Sequence, residues 1–339
     1  MNTAVVVGEG KVASDIFELL VRSKIQATRV AVAEISSVRD IESAALIVEA
    51  SGFPLELKKP LLSSIFVRAS RAAIVCSDES VIPRRELLEG VPSEFRERFA
   101  ICHFFVPTKN LPLVELVSGE ELDPETEGHL TVLLQTVLER IVVKCPDTPG
   151  FIANRAGLYF AFRAAMLAME YGVRPDHADA LLADTFGVPR IGAFGLFDLV
   201  GLEEMNAIAK NMRGRLSGSD PWQSCELSKE ALAIVRKGAG KPSGCFYRRG
   251  GATGHRMVLD LARAEYVPCS GGSTDPQVAS KLIARLASDL QECCSRIANA
   301  TKVPPAAIDS VICAGFGWAR GPFALLKQSP ICYQIEPIQ

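Results

Sequence analysis

The sequence predicts an α/β fold in its first part, a doubly wound and mostly parallel sheet. An all-α C-terminal region with two related helical units follows. Three observations carry this. Apolar runs alternate with helically spaced segments as far as Gly119, the pattern turns almost wholly helical from Asp123, and residues 173–198 are echoed by residues 303–327.

The strand candidates are residues 4–8, 29–34, 45–51, 72–78 and 99–105, with 141–145 as a last one. Most are continuous Val/Ile/Ala runs rather than alternating ones, which suits strands covered on both faces. Residues 11–23 and 55–68 between them carry apolar residues at helical spacing, and residues 123–139 read as an amphipathic helix. The first strand runs into Gly8-Glu9-Gly10-Lys11-Val12-Ala13 and then a helix. Two glycines let the backbone turn tightly and approach a pyrophosphate, whose charge is met by the helix N-terminus. Ala13 in the third place keeps helix and strand close. Gly8, Gly10 and Ala13 are therefore candidate NAD ligands on a Rossmann-type domain. Glu34, read as closing the second strand, is placed to accept from the adenosine ribose hydroxyls and favours NAD over NADP.

The segment around residues 101–119 brings a histidine, a turn and a second strand-like stretch together. His103 is a candidate general base, and Glu115 a carboxylate that would orient its ring and stabilise its cation. The alternative is a hydrogen-bonded core histidine and a solvated glutamate. Ser80 follows the fourth strand at its carboxyl end, where open α/β sheets bind ligands, although a turn or cap role suits it too. Asn154 falls in the first turn of an apolar helix read over 151–171, facing the sheet domain or bonding local backbone.

The totals bound the class. At 339 residues the chain can hold several cores. Its 48% hydrophobic and 22% charged residues are those of a soluble globular protein. A net charge of -2 with scattered basic residues argues against nucleic acid or an anionic membrane as partner. The ten cysteines lack paired metal-ligand spacing and read as reduced, mostly buried thiols, so no metal is expected. With no signal-like start and no bilayer-spanning run, a cytoplasmic protein is expected, with the mitochondrion or peroxisome left open. The domains are read as 1–119, 120–212, a Gly/Ser-rich surface connection over 213–275 with a short hairpin near Gly250-Gly251, and 276–330. His129, His177 and His255 have no partner pattern and receive no chemistry.

Several stretches resemble the L-3-hydroxyacyl-CoA dehydrogenase family: CSDES, HFFVPTKNLPLVELVSGEELDPET, DTPGFIANR, FGLFDLVGLE, GKPSGCFYR and FGWARGPFALL. They run in the family's order from Ala45 to Leu326, and the second helical unit is similar to bacterial-type members with two repeats. The resemblance implies NAD-linked oxidation of an L-3-hydroxyacyl-CoA to the 3-ketoacyl-CoA, as in fatty-acid β-oxidation. It assigns Ser80, His103, Glu115 and Asn154 to catalysis and sets Lys58 and Lys241 near the cofactor. An acyl-CoA substrate follows, and a homodimer is the assembly considered. Three departures keep alternatives open. Val106 stands where the family has asparagine, Phe53 where it has glutamate, and a helical hairpin that helps hold coenzyme A is missing between Glu34 and Ala45. The alternatives are a catalytically degenerate homologue acting as an acyl-CoA-binding or structural subunit, and a dehydrogenase of a small non-CoA 3-hydroxy acid.

Overall fold

The structure, a computed structural model, describes residues 3–239, 245–250, 254–270 and 274–328, with no account of the side chains of 237–239 and 328. The chain divides into two compact units after Phe151.

The first unit is a seven-stranded sheet, built from β1 (Thr3–Val7), β2 (Gln26–Val30), β3 (Leu46–Glu49), β4 (Ile74–Ser77), β5 (Phe99–Phe104), β6 (Leu113–Val117) and β7 (Ile141–Lys144). Its order is β2-β1-β3-β4-β5-β6-β7. The first five strands are mutually parallel, β6 runs antiparallel to β5, and β7 is parallel to β6. Strands β3 to β6 bury every residue, which explains their largely apolar character. Helices α1 (Lys11–Arg22), α2 (Asp40–Ser43), α3 (Leu55–Arg68), α4 (Arg84–Leu87), α5 (Ser93–Arg96) and α6 (Pro124–Val132) complete the unit. Because β1 lies between β2 and β3, the strand order reverses there, and the crevice for a ligand opens at the carboxyl ends of β1 and β3.

Three expectations need correction in this unit. The second strand lies earlier than 29–34, and Glu34 ends a short 3-10 turn, Val32–Glu34, beyond it. As an edge strand β2 is largely solvated, so QATRV lacks the apolar signal that the neighbouring run falsely supplied. The helix read over 123–139 is α-helical only to Val132, with a wider π turn over Leu133–Val137 after it. The domain boundary is not at 119. β7 pairs with β6 through Leu113↔Ile141 to Leu116↔Lys144, so residues 120–151 belong to the sheet unit.

The second unit opens with a π turn, Asn154–Leu158, rather than with regular helix from Phe151, whose φ is 49°. It then holds α7 (Tyr159–Glu170), α8 (Pro175–Phe186), α9 (Gly192–Val200), α10 (Leu202–Arg215), α11 (Lys229–Ala239), α12 (Pro276–Thr301), α13 (Pro305–Phe316) and α14 (Pro322–Gln328). The internal echo is a repeat of structure. Asp179 of α8 accepts from the amides of Phe194 and Gly195 at 3.0 and 3.2 Å. Asp309 of α13 accepts from those of Phe323 and Ala324 at 2.8 and 3.0 Å. Each carboxylate thus caps the next helix of its own copy. A glycine makes room in both: a Cβ on Gly192 would lie 2.1 Å from Asp179 Cγ, and one on Gly321 2.2 Å from Asp309 Cβ. The first helices of the two copies, α7 and α12, pack together and share the buried Arg163–Asp289 pair, 2.6 Å apart.

The stretch 213–275 is also corrected, since it is more than a surface connection. It buries Trp222, whose Nε1 donates to the Arg155 carbonyl, and it carries α11. It also forms an antiparallel sheet of β8 (Tyr247–Gly250), β9 (His255–Asp260) and β10 (Glu265–Pro268). The antiparallel pairing of β8 with β9 answers to the short hairpin read near Gly250-Gly251, while β10 is too short to show an alternation.

Candidate active site

The glycine turn sits at the reversal of strand order. Gly8 follows β1 with φ 150°, and a Cβ there would meet the Ala50 carbonyl oxygen at 2.4 Å. Only glycine lets the end of β1 lie this close to the end of β3. Ala13 is fully buried and its Cβ lies 3.1 Å from where a Cβ on Gly8 would sit, so helix α1 packs tightly on the turn. Gly10 differs. It is the N-cap of α1 with ordinary extended φ, and a Cβ there meets nothing within 4 Å. Its missing side chain leaves open space in front of the unpaired amides of a helix start. That shape and polarity fit a pyrophosphate. Glu9 is exposed, and Glu34 is exposed on its turn past β2 rather than at the strand's end.

His103 and Glu115 are direct partners across β5 and β6. Opposed residues on an antiparallel pair project to the same face, and here Nδ1 meets Glu115 Oε2 at 2.8 Å. Both are buried, at 7% and 0% exposure, so the bond is shielded from water. Burial disfavours the imidazolium, yet the bond and charge of Glu115, with the fields of Asp78 and Glu79, raise the histidine above its ordinary value. Cys145 Sγ lies 3.4 Å from the other Glu115 oxygen, and the Phe105 ring lies 4.4 Å from the imidazole. With Nδ1 held, Nε2 is the nitrogen left to exchange a proton with a substrate.

Ser80 sits in the turn after β4, half-buried. Its neighbours do more than the sequence indicated. Asp78 accepts from the Phe104 amide at 2.8 Å, tying the end of β4 to the residue after His103. Burial pushes that carboxyl up to about 6, against the pull of His103 and the amide. Glu79 accepts from the amides of Ser80, Val81 and Ile82 at 2.9, 3.0 and 3.2 Å. Lys58, expected beside the cofactor, is 1% exposed. Its Nζ lies 2.8 Å from Glu79 and 3.2 Å from Glu49. The two carboxylates outweigh the burial and raise its pKa. Its ammonium is thus held between two carboxylates inside the protein. Glu49, Asp78 and Glu79 were missed as site-shaping groups, although three acids at two strand ends were visible in VEAS and CSDES.

Asn154 belongs to the second unit, at the head of its π turn and 7% exposed. Lys241 lies outside the described residues. Phe53 is half-buried in the loop after β3, its amide bonded to Ser51 Oγ. Between Glu34 and β3 only the four-residue α2 intervenes, so no helical hairpin stands there. Among the described residues no group of His, Cys, Asp and Glu could hold a metal ion, and no helix is long and apolar enough to cross a membrane.

Comparison with known proteins covers both units. Residues 10–148 match the family described as 3-hydroxyacyl-CoA dehydrogenase, NAD binding domain, and residues 150–248 match its C-terminal domain. A putative fatty acid oxidation complex trifunctional enzyme of Rickettsia felis is 27% identical over 308 residues, which are 86% of this chain and 42% of that protein. The chain therefore spans under half the length of that relative. The 5-formyl-3-hydroxy-2-methylpyridine 4-carboxylate 5-dehydrogenase of Mesorhizobium japonicum is 27% identical over 210 residues, 61% of this chain and 67% of the relative. Among solved structures, 3-hydroxybutyryl-CoA dehydrogenase from Escherichia coli K12 superposes with a TM-score of 0.73 at 18% identity. It covers 96% of this chain and 91% of that one. At that identity the likeness speaks for the fold.

Proposed function

The chain belongs to the 3-hydroxyacyl-CoA dehydrogenase family and carries its NAD-binding domain, and from this premise we propose that it oxidises an L-3-hydroxyacyl-CoA to the 3-ketoacyl-CoA. The observation that carries the reading is the buried His103–Glu115 pair, held by strand register rather than by flexible loops. NAD, when bound, accepts the hydride. His103 Nε2 takes the hydroxyl proton while Glu115 holds Nδ1–H and offsets the charge that develops on the ring. A positioned base of this kind is worth about two to four powers of ten in rate. Ser80 and Asn154 are assigned to bonding the substrate oxygen and fixing its approach. Gly8, Gly10 and Ala13 shape the pyrophosphate seat, and Glu34 is kept as acceptor for the ribose hydroxyls. A homodimer and a place in fatty-acid β-oxidation belong to the same proposal.

A second reading has its own support. The missing hairpin removes a surface the resemblance gives to coenzyme A, and one relative is named for a pyridine carboxylate rather than a thioester. A small 3-hydroxy acid would then be the substrate. NADH formation measured with 3-hydroxybutyryl-CoA and with free 3-hydroxybutyrate separates the two. Turnover of the thioester alone supports the first, and turnover of the free acid alone the second. Silence with both, without NAD-dependent thermal stabilisation, leaves a non-enzymatic acyl-CoA-binding or structural subunit.

A further inference from the structure

Two carboxylates and one ammonium lie buried together at the carboxyl ends of β3 and β4. Glu49 and Ser77 are register partners on those strands, and Ser77 Oγ donates to Glu49 Oε2 at 2.5 Å. Glu49 Oε1 accepts from the Ser51 amide at 2.8 Å in the loop after β3. Lys58, in the first turns of α3, bridges Glu49 and Glu79. The second oxygen of Glu79 gathers three successive amides, Ser80 to Ile82. An unbroken polar chain thus runs from β3 through Lys58 to the backbone of the Ser80 turn.

A buried ion cluster is poor value as a stabiliser. Desolvation of the charges cancels most of their attraction, and apolar residues of similar volume often hold a fold as well. What the cluster supplies is geometry. Three amides on one carboxylate oxygen fix the turn, and the lysine fixes the carboxylate. We propose that Glu79 is a positioning residue of the reaction, anchored by Lys58 and acting through the backbone it holds on Ser80. This rests on the dehydrogenase reading and on the role given there to Ser80. It also gives Lys58 the part of an internal anchor.

The test pairs kinetics with amide hydrogen exchange. Glu79→Ala, and Glu79→Gln as the milder variant, should lower kcat for 3-hydroxybutyryl-CoA by about a hundredfold, the cost of a small misplacement of a reacting group. The NAD Kd should stay as in the parent protein. Combined with Ser80→Ala, Glu79→Ala should add no further loss, because both changes remove the same positioned hydroxyl. A Glu79 acting only on stability would give losses that multiply, and that result overturns the proposal. Exchange at the amides of Ser80, Val81 and Ile82 should quicken in Glu79→Ala and in Lys58→Met, read below the melting point of each variant. This readout needs no turnover, so it still decides if the protein proves inactive and the dehydrogenase reading falls. Unchanged exchange overturns the strut, as does a Lys58→Met variant that loses NAD affinity while the three amides stay protected.

Discussion

His103 and Glu115 face each other as a directly opposed pair on β5 and β6, with Nδ1 and Oε2 2.8 Å apart. The pairing is a property of the sheet register. A slip of one residue between the strands would leave the two side chains on opposite faces of the sheet, so the fold and the proposed base are specified by the same hydrogen-bond ladder.

His103→Gln should therefore separate chemistry from stability. Glutamine keeps an N–H group for Glu115 but cannot serve as a base near neutral pH. Turnover should fall by two to four powers of ten, roughly the worth of a general base, with the melting temperature nearly unchanged. His103→Ala is expected to melt earlier as well, since it withdraws a partner from a buried carboxylate at a cost of about 1–3 kcal/mol. Steady-state kinetics and thermal denaturation of both variants check this. Equal loss of stability in the two would mark a core histidine.

The pH dependence follows from the same pair. Oxidation needs the neutral imidazole, so its rate should rise as pH climbs through a value above the ordinary histidine range, and the reverse reduction should fall over that interval. Glu115→Gln removes the charge that stabilises the imidazolium and should move both midpoints toward acid. Stability runs opposite to oxidation, falling as pH rises. A histidine whose folded-state value is raised binds its proton more tightly when folded. Its contribution is complete below the unfolded value and is lost as pH rises through the folded one. Chemical denaturation across that window should show the slope in the parent protein and a weaker one in Glu115→Gln.

The two glycines of the first turn should respond differently to alanine. In Gly8→Ala the new Cβ meets the Ala50 carbonyl at 2.4 Å in a backbone conformation with φ 150°, so folding stability should drop by about 1–3 kcal/mol together with NAD binding. Gly10→Ala meets no protein atom within 4 Å. It should fold normally and lose NAD affinity only, by crowding the pyrophosphate. Calorimetric titration with NAD, alongside melting curves, distinguishes them. Undiminished affinity in Gly10→Ala would place the dinucleotide elsewhere.

How much of this could be read beforehand depended on the range of the interactions. Helix α3 shows in the chain at its observed bounds, Leu55–Arg68, and β1 and β5 show nearly so, because buried runs and helical spacing are local patterns. The edge strand β2 and the short strand β10 are half-solvated, and their alternation is too brief to stand out. His103 and Glu115 could be paired because one turn separates their strands. Lys58, Glu49 and Glu79 could not. They come from three elements, and only the parallel register of β3 with β4 brings the two carboxylates to one ammonium. The same limit hid Asp78 beside the histidine strand. The repeat was legible as an echo, while its purpose as a pair of helix caps needed the folded chain.

Those caps yield the last test. Asp179 and Asp309 do equivalent work in the two copies, each taking two amides at the start of the next helix. Asp179 also accepts from the Tyr247 hydroxyl at 2.8 Å, and burial pushes its carboxyl up to about 7. Removing a capping carboxylate costs about 0.5–2 kcal/mol, so Asp309→Ala should lower the urea midpoint by a modest step. Asp179→Ala should lower it further, because it strands two buried amides and removes the acceptor of a half-buried tyrosine hydroxyl. The parent protein should show a pH signature from Asp179 too. Its folded-state value lies above the unfolded one, so its contribution is complete in acid and declines as pH rises toward about 7. Denaturation midpoints of the parent, both alanine variants and Tyr247→Phe, taken at pH values on either side of that point, measure each part. Equal midpoints for the two aspartate variants would mean that the tyrosine bond contributes nothing and that the copies are equivalent in energy as well as in form.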